Sequence, residues 1–149
     1  MKTLIASLAL LGSALLAPQA QAQTAPMPAA TDTALYQALG EKAGITRLVD
    51  DFVARLVADA RIADMFKKTN LSNLRTQLTD QFCVVSGGPC QYTGADMKSV
   101  HQDLDIQKQH FNALVEDLQA AMDAKNIPFS KQNQLLARLA PMHRDVIAP

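Results

Sequence analysis

Apolar residues recur along this chain at helical spacing, and no stretch shows sustained period-two alternation. From Ala43 to Ala58, residues Ile45, Leu48, Val49, Phe52, Val53 and Leu56 share one face while Asp50, Asp51 and Arg55 turn away, which predicts a long amphipathic helix. Ahead of it, Asp32 is placed to cap a short helix carrying Leu35, Ala38 and Leu39, which Gly40 ends. Asp59 to Asn70, with Ile62, Met65 and Phe66, reads as a turn of helix followed by an extended link. Ser72 is then expected to cap a third helix striped by Leu74, Leu78, Phe82 and Val85.

Gly87-Gly88-Pro89 stops that helix, because the glycines supply left-handed positions and the proline forbids continuation. Met97, Val100, His101 and Leu104 follow at i, i+3, i+4 and i+7, so a short helix is expected to carry the imidazole on a buried stripe. Ile106 opens a fourth long helix with Phe111, Leu114, Val115, Leu118, Ala121 and Met122 inward, closed by Lys125-Asn126 and Pro128. Ser130 is the expected cap of a last helix with Leu135, Leu136 and Leu139 inward, and Pro141 weakens its end. The fold class this implies is all-α: four substantial helices in two pairs, joined by short ones.

The N-terminus stands apart from this pattern. Lys2, the apolar run Leu4 to Leu16 and Ala20-Gln21-Ala22 have the layout of a secretory signal peptide over residues 1–22 with an A-x-A cleavage site, and the run is short for a membrane span. Residues 23–31, rich in Ala, Pro, Gln and Thr, read as a flexible linker, leaving residues 32–149 as the folded domain. The leader points to the periplasm and to no stable membrane association after its removal. Fourteen basic and fourteen acidic residues balance over the whole chain, and losing the leader's one lysine leaves the domain close to neutral. Such a balance argues against nucleic acid as a partner. With no Trp, five Phe and two Tyr, the core must be chiefly aliphatic, which suits packing between helices.

Export would also place Cys83 and Cys90 in an oxidising compartment, on either side of the helix stop. The turn there can bring the two together as a disulfide, which on the chain-entropy model contributes about 2.5 kcal/mol. The alternative is a small buried thiol at Cys83 and an unpaired loop thiol at Cys90.

The run from Gly87 to His101, GGPCQYTGADMKSVH, resembles the loop and proximal helix of the group I truncated haemoglobins, whose G-G-P-x-x-Y-T-G-x-x-M-K-x-x-H ends in the histidine that binds haem iron. His101 is the residue that matches. The resemblance extends over about Ala34 to Ala148 and is strongest between Asn70 and Phe111. It implies a two-over-two helical sandwich around haem b, with His101 as the metal ligand. Phe52, Val53, Leu74, Gln77 and Leu78 would form the distal wall. Phe66, Tyr92, Met97, Ile106, Phe111, Leu114 and Leu118 would line the rest; each can also be read as ordinary core, and for Leu114 and Leu118 that reading is about as good.

The chain departs from that pattern at several positions. Where group I members commonly carry Phe-Tyr, this chain has Phe52-Val53, and valine cannot donate a hydrogen bond to iron-bound O2. Leu74 and Leu78 stand where Gln is frequent in relatives, which leaves Gln77 and Gln81 as candidate donors, each equally readable as solvent-facing. Gly40-Glu41 replaces a Gly-Gly pair, with one glycine left to make the turn. His110 and His143 are not spaced with His101 as a helical metal pair. The family implies reversible binding of O2, and of NO or CO, at ferrous iron. The alternatives are a haem enzyme, either an NO dioxygenase dependent on an unidentified reductase or a peroxidase, and a helical interaction module without cofactor.

Overall fold

The computed structural model describes residues 32–147, so the expected leader and linker lie outside the described residues. A short helix, α1 (Ala34–Ala38), leads into α2 (Glu41–Ala58); a 3₁₀ turn (Ala63–Phe66) precedes α3 (Leu71–Val85). After an irregular loop come α4 (Met97–His101), α5 (Lys108–Ala124) and α6 (Phe129–Leu139), and a 3₁₀ turn (Ala140–Met142) leads to α7 (His143–Val146). No strand occurs among the described residues, and none of the described helices is long and apolar enough to cross a membrane.

The long helices form a two-over-two arrangement. α2 packs on both α3 and α5, α3 packs on α6, and α1 bridges α2 and α6. Their apolar stripes meet in one core in which Leu35, Ile45, Leu48, Leu56, Met122 and Leu135 are fully buried. Burying each such side chain contributes roughly 1.5–3 kcal/mol against exposure, the term that drives these amphipathic helices together. The entry to α2 is tight. Gly40 sits at φ 79° and a side chain at Gly44 would meet the Leu39 carbonyl at 2.1 Å, so α1 and α2 can approach only over glycine.

Several helix ends differ from the sequence expectation, each for a local reason. α2 starts at Glu41 rather than Ala43, because the Gly40 carbonyl already accepts from the Gly44 amide at 2.8 Å, although Glu41 itself holds a left-handed φ of 57°. Asn70, not Ser72, caps α3, its side-chain oxygen accepting from the Asn73 amide at 3.1 Å. Asp32 accepts from the Ala34 amide at 3.2 Å, although Thr33 holds the cap position of α1. α5 begins at Lys108 instead of Ile106, with the Gln107 amide donating to His110 Nδ1 at 3.2 Å. α6 begins one residue before Ser130, after Pro128, whose carbonyl accepts from the Lys131 and Gln132 amides.

The C-terminal end of α3 is held from several sides. Cys83 carbonyl accepts from the Gly88 amide at 2.8 Å and from the Ser86 hydroxyl at 3.0 Å. Arg138 of α6 donates to the Val85 carbonyl at 2.9 Å while pairing with Asp32, and the Tyr36 amide donates to Ser86 at 3.1 Å. Cys83 and Cys90 are joined by a disulfide with Cα atoms 5.8 Å apart, which closes the alternative of two separate thiols.

Candidate functional site

The loop from Cys90 to Asp96 delivers α4. Asp96 caps it by accepting from the Ser99 hydroxyl at 2.5 Å and the Ser99 amide at 2.9 Å, and those contacts, the hydroxyl foremost, hold the Asp96 carboxyl below its usual range, ionised at the positive end of the helix. Tyr92 folds back within the loop, its hydroxyl donating to the Ala95 carbonyl at 2.8 Å. Burial, reinforced by the Asp96 charge, raises the Tyr92 phenol above its usual value, so it stays a neutral donor.

α4 places His101 half-buried, with Nδ1 at 2.7 Å from the Met97 carbonyl. A carbonyl only accepts, so Nδ1 carries the proton, and the lone pair of Nε2 is left for another partner. The expected buried stripe is not realised. α4 ends at His101, so Leu104 falls beyond it, and Val100 and Leu104 are 45% and 42% exposed. A helix of five residues packed chiefly on α7 has no second apolar surface to cover that side.

Across from α4, α3 presents Leu74, Gln77 and Leu78, all half-buried. Leu74, Leu78, Phe66 and Leu114 pack against the core that contains Phe52, Val53 and Leu118. Phe52 stacks on Phe82 with centroids 6.2 Å apart, and Val53 is wholly enclosed. Gln77 does not turn to solvent: its Oε1 is buried without a hydrogen-bond partner. A side chain added at Gly94 would lie 2.5 Å from that oxygen and from Tyr92, so the glycine is what lets the amide and the phenol converge.

A cavity of about 230 Å³ opens between α3 and α4, lined by Gln81, Val84, Tyr92, Asp96, Met97 and Met142 among others. Gln81 is buried too, against the solvent-facing alternative, its amide donating to the sulfurs of Met97 at 3.5 Å and Met142 at 3.3 Å. Phe111 meets the His143 ring edge-on at 4.8 Å, while Ile106 is buried just before α5. Met142 and His143 are neighbours that sequence reasoning missed. Met142 closes the 3₁₀ turn that contains Pro141 and His143 opens the four-residue α7, segments too short for helical periodicity to carry a signal.

A family model of bacterial-like globins matches residues 34–148. The group 1 truncated hemoglobin GlbN of Mycolicibacterium paratuberculosis is 30% identical over 117 residues, 78% of this chain and 86% of that protein. This chain belongs to the bacterial-like globins. Among solved structures, the truncated hemoglobin of Tetrahymena pyriformis in its Fe(III) form superposes with a TM-score of 0.74 at 26% identity, over 77% of this chain and 98% of that one. The 2/2 hemoglobin of Synechococcus sp. PCC 7002, with a TM-score of 0.72 at 24% identity over 76% and 97%, shares the fold. Truncated globins bind haem, and the residues of this globin fit that group: a histidine with Nε2 free, an apolar wall on α3, and an orphaned buried amide oxygen beside Gly94. No cluster of three or more His, Cys, Asp or Glu side chains offers a competing metal site among the described residues.

Proposed function

We propose that this globin holds haem b through Nε2 of His101 and binds O2 reversibly, with NO and CO as further ligands, after export to the periplasm. The observation that carries the reading is the His101 Nδ1–H bond to the Met97 carbonyl, which fixes the tautomer a ligand histidine needs and makes Nε2 more basic. Haem supplies an iron with a further coordination position at which a diatomic ligand can bind. The chain's own contribution is to bind the haem, exclude water with Leu74, Leu78 and Phe66, and offer polar groups at Gln77 and Tyr92. Val53 gives the distal side no hydroxyl, which favours fast ligand release over long retention.

The test is haem titration of the mature chain beginning at Gln23, followed by ferric, ferrous, ferrous-O2 and ferrous-CO spectra. His101→Ala should lose stable haem binding, whereas His110→Ala, which removes only the contact at the start of α5, should keep it. Wild-type affinity and spectra in His101→Ala would overturn the ligand assignment. Purification of the protein with its first 22 residues intact would overturn the export reading.

A further inference from the structure

The C-terminal end of α3 and the proximal loop are held in different ways. Without the disulfide, the end of α3 still has Arg138 on Val85, Tyr36 on Ser86 and Gly88 on Cys83. The segment from Cys90 to His101 has almost nothing of the kind. Its hydrogen bonds among the described residues are local, such as Tyr92 to Ala95, Ser99 to Asp96 and His101 to Met97. One exception reaches the rest of the molecule, the Gln81 amide on the Met97 sulfur at 3.5 Å, and sulfur is a weak acceptor. The segment forms no salt bridge among the described residues. The Cys83–Cys90 bond therefore ties a loop with few other long-range polar contacts to a well-held helix end, eleven positions ahead of His101.

From this we infer that Cys83 and Cys90 are positioning residues for His101, and that their bond is a redox-sensitive latch on haem retention. The inference rests on the haem reading above. Closed, the bond cuts the conformations open to the loop and keeps the imidazole facing the slot. Open, α4 is held chiefly by its packing on α7 and one amide–thioether contact. The geometry also gives the route of opening. Cys83 is fully buried, and the space behind it at Gly88 is filled by the Tyr36 ring, whereas Cys90 is half-buried between exposed Pro89 and Gln91. A thiolate of an external dithiol attacks the Cys90 sulfur, the S–S bond breaks and Cys83 leaves as thiolate. The second thiol then attacks the mixed disulfide and frees Cys90. Two electrons and two protons pass to the protein, and the dithiol becomes a disulfide.

The test is the rate at which ferric haem leaves the full mature holoprotein for an excess of a haem-scavenging apoglobin. Oxidised wild type is compared with Cys90→Ser, with and without a trialkylphosphine, which delivers the same two electrons and takes oxygen from water. Cys90→Ser should lose haem about tenfold faster than oxidised wild type, with the phosphine bringing wild type to that rate and leaving the variant unchanged. The iron–histidine stretching band of the ferrous protein should broaden or shift in the variant, a change that loss of stability alone does not produce. Equal rates and an unchanged band in the two proteins would overturn the latch, as would a phosphine effect of the same size on Cys90→Ser. Should oxidised wild type take up no haem while thiol titration shows the bond intact, the haem reading itself fails and the latch with it.

Discussion

Two of the residues at which this chain departs from the group I pattern have a measurable consequence. Glu41 replaces a glycine and yet adopts a left-handed backbone at φ 57°, a conformation that costs an L-residue roughly 1–2 kcal/mol. Part of that is offset by a carboxylate at the positive end of α2, about 0.3–1 kcal/mol. Glu41→Gly should therefore stabilise the protein by about 0.5–1 kcal/mol in urea unfolding, and a loss of stability would show that the strain is relieved elsewhere. Val53 bears on ligand release. A hydrogen bond to the polarised oxygen of bound O2 is worth roughly 1.5–3 kcal/mol, so Val53→Tyr should slow O2 release about ten- to a hundredfold while changing CO much less. Unchanged O2 release in Val53→Tyr, together with faster release in Gln77→Leu, would assign the donor to Gln77. Val53 is wholly enclosed, so the larger ring will also cost about 1–3 kcal/mol of packing, which stability measurements separate from the kinetic effect.

At the level of elements, how readable each helix was depended on how much of its surface the core covers. α2, α3 and α5 bury one continuous stripe apiece, and their apolar spacing located them to within a few residues. The misplaced ends, at Ser72 and Ser130, arose because Asn70 and the Pro128 carbonyl serve the free amides equally well, a choice that residue preference alone does not make. α4 was legible as a helix from its spacing, but not as half-exposed, since burial depends on what packs opposite. The convergence of Gln77 on Gly94 and of Gln81 on two methionines was invisible for the same reason: amide direction has no period. α5 holds one further consequence. Burial, with Asp59 nearby, raises the carboxyl of Asp117, whose Oδ2 has no partner, although Arg61 and Arg55 oppose the shift. A carboxyl raised in this way binds more protons folded than unfolded, so stability falls as pH rises through the window between the unfolded value and the folded one. Asp117→Asn should remove that fall, making the protein more stable than wild type at neutral pH and no more stable below the ordinary aspartate range of about 3.9. A gain equally large in acid would point to packing instead of charge.

For the molecule as a whole, the half-exposed apolar surface of α4 and the orphaned amide at Gln77 describe a fold with a face still to be covered. Val100 and Leu104 lie on the same short segment as His101 and both stay exposed. A ligand that binds only the folded chain adds RT ln(1 + [L]/Kd), about 2.7 kcal/mol at a hundredfold excess over Kd. In a domain of this size, that corresponds to a rise in melting temperature of roughly 10 °C. Haem should therefore raise the melting temperature of the wild-type chain by about that amount and that of His101→Ala far less, while His110→Ala should respond as wild type does. The comparison separates two ways in which the slot can hold haem. Equal rises in wild type and His101→Ala would mean that the apolar walls supplied by Phe66, Leu74 and Leu78 hold the porphyrin unaided, and His101 would then contribute ligand chemistry without contributing retention.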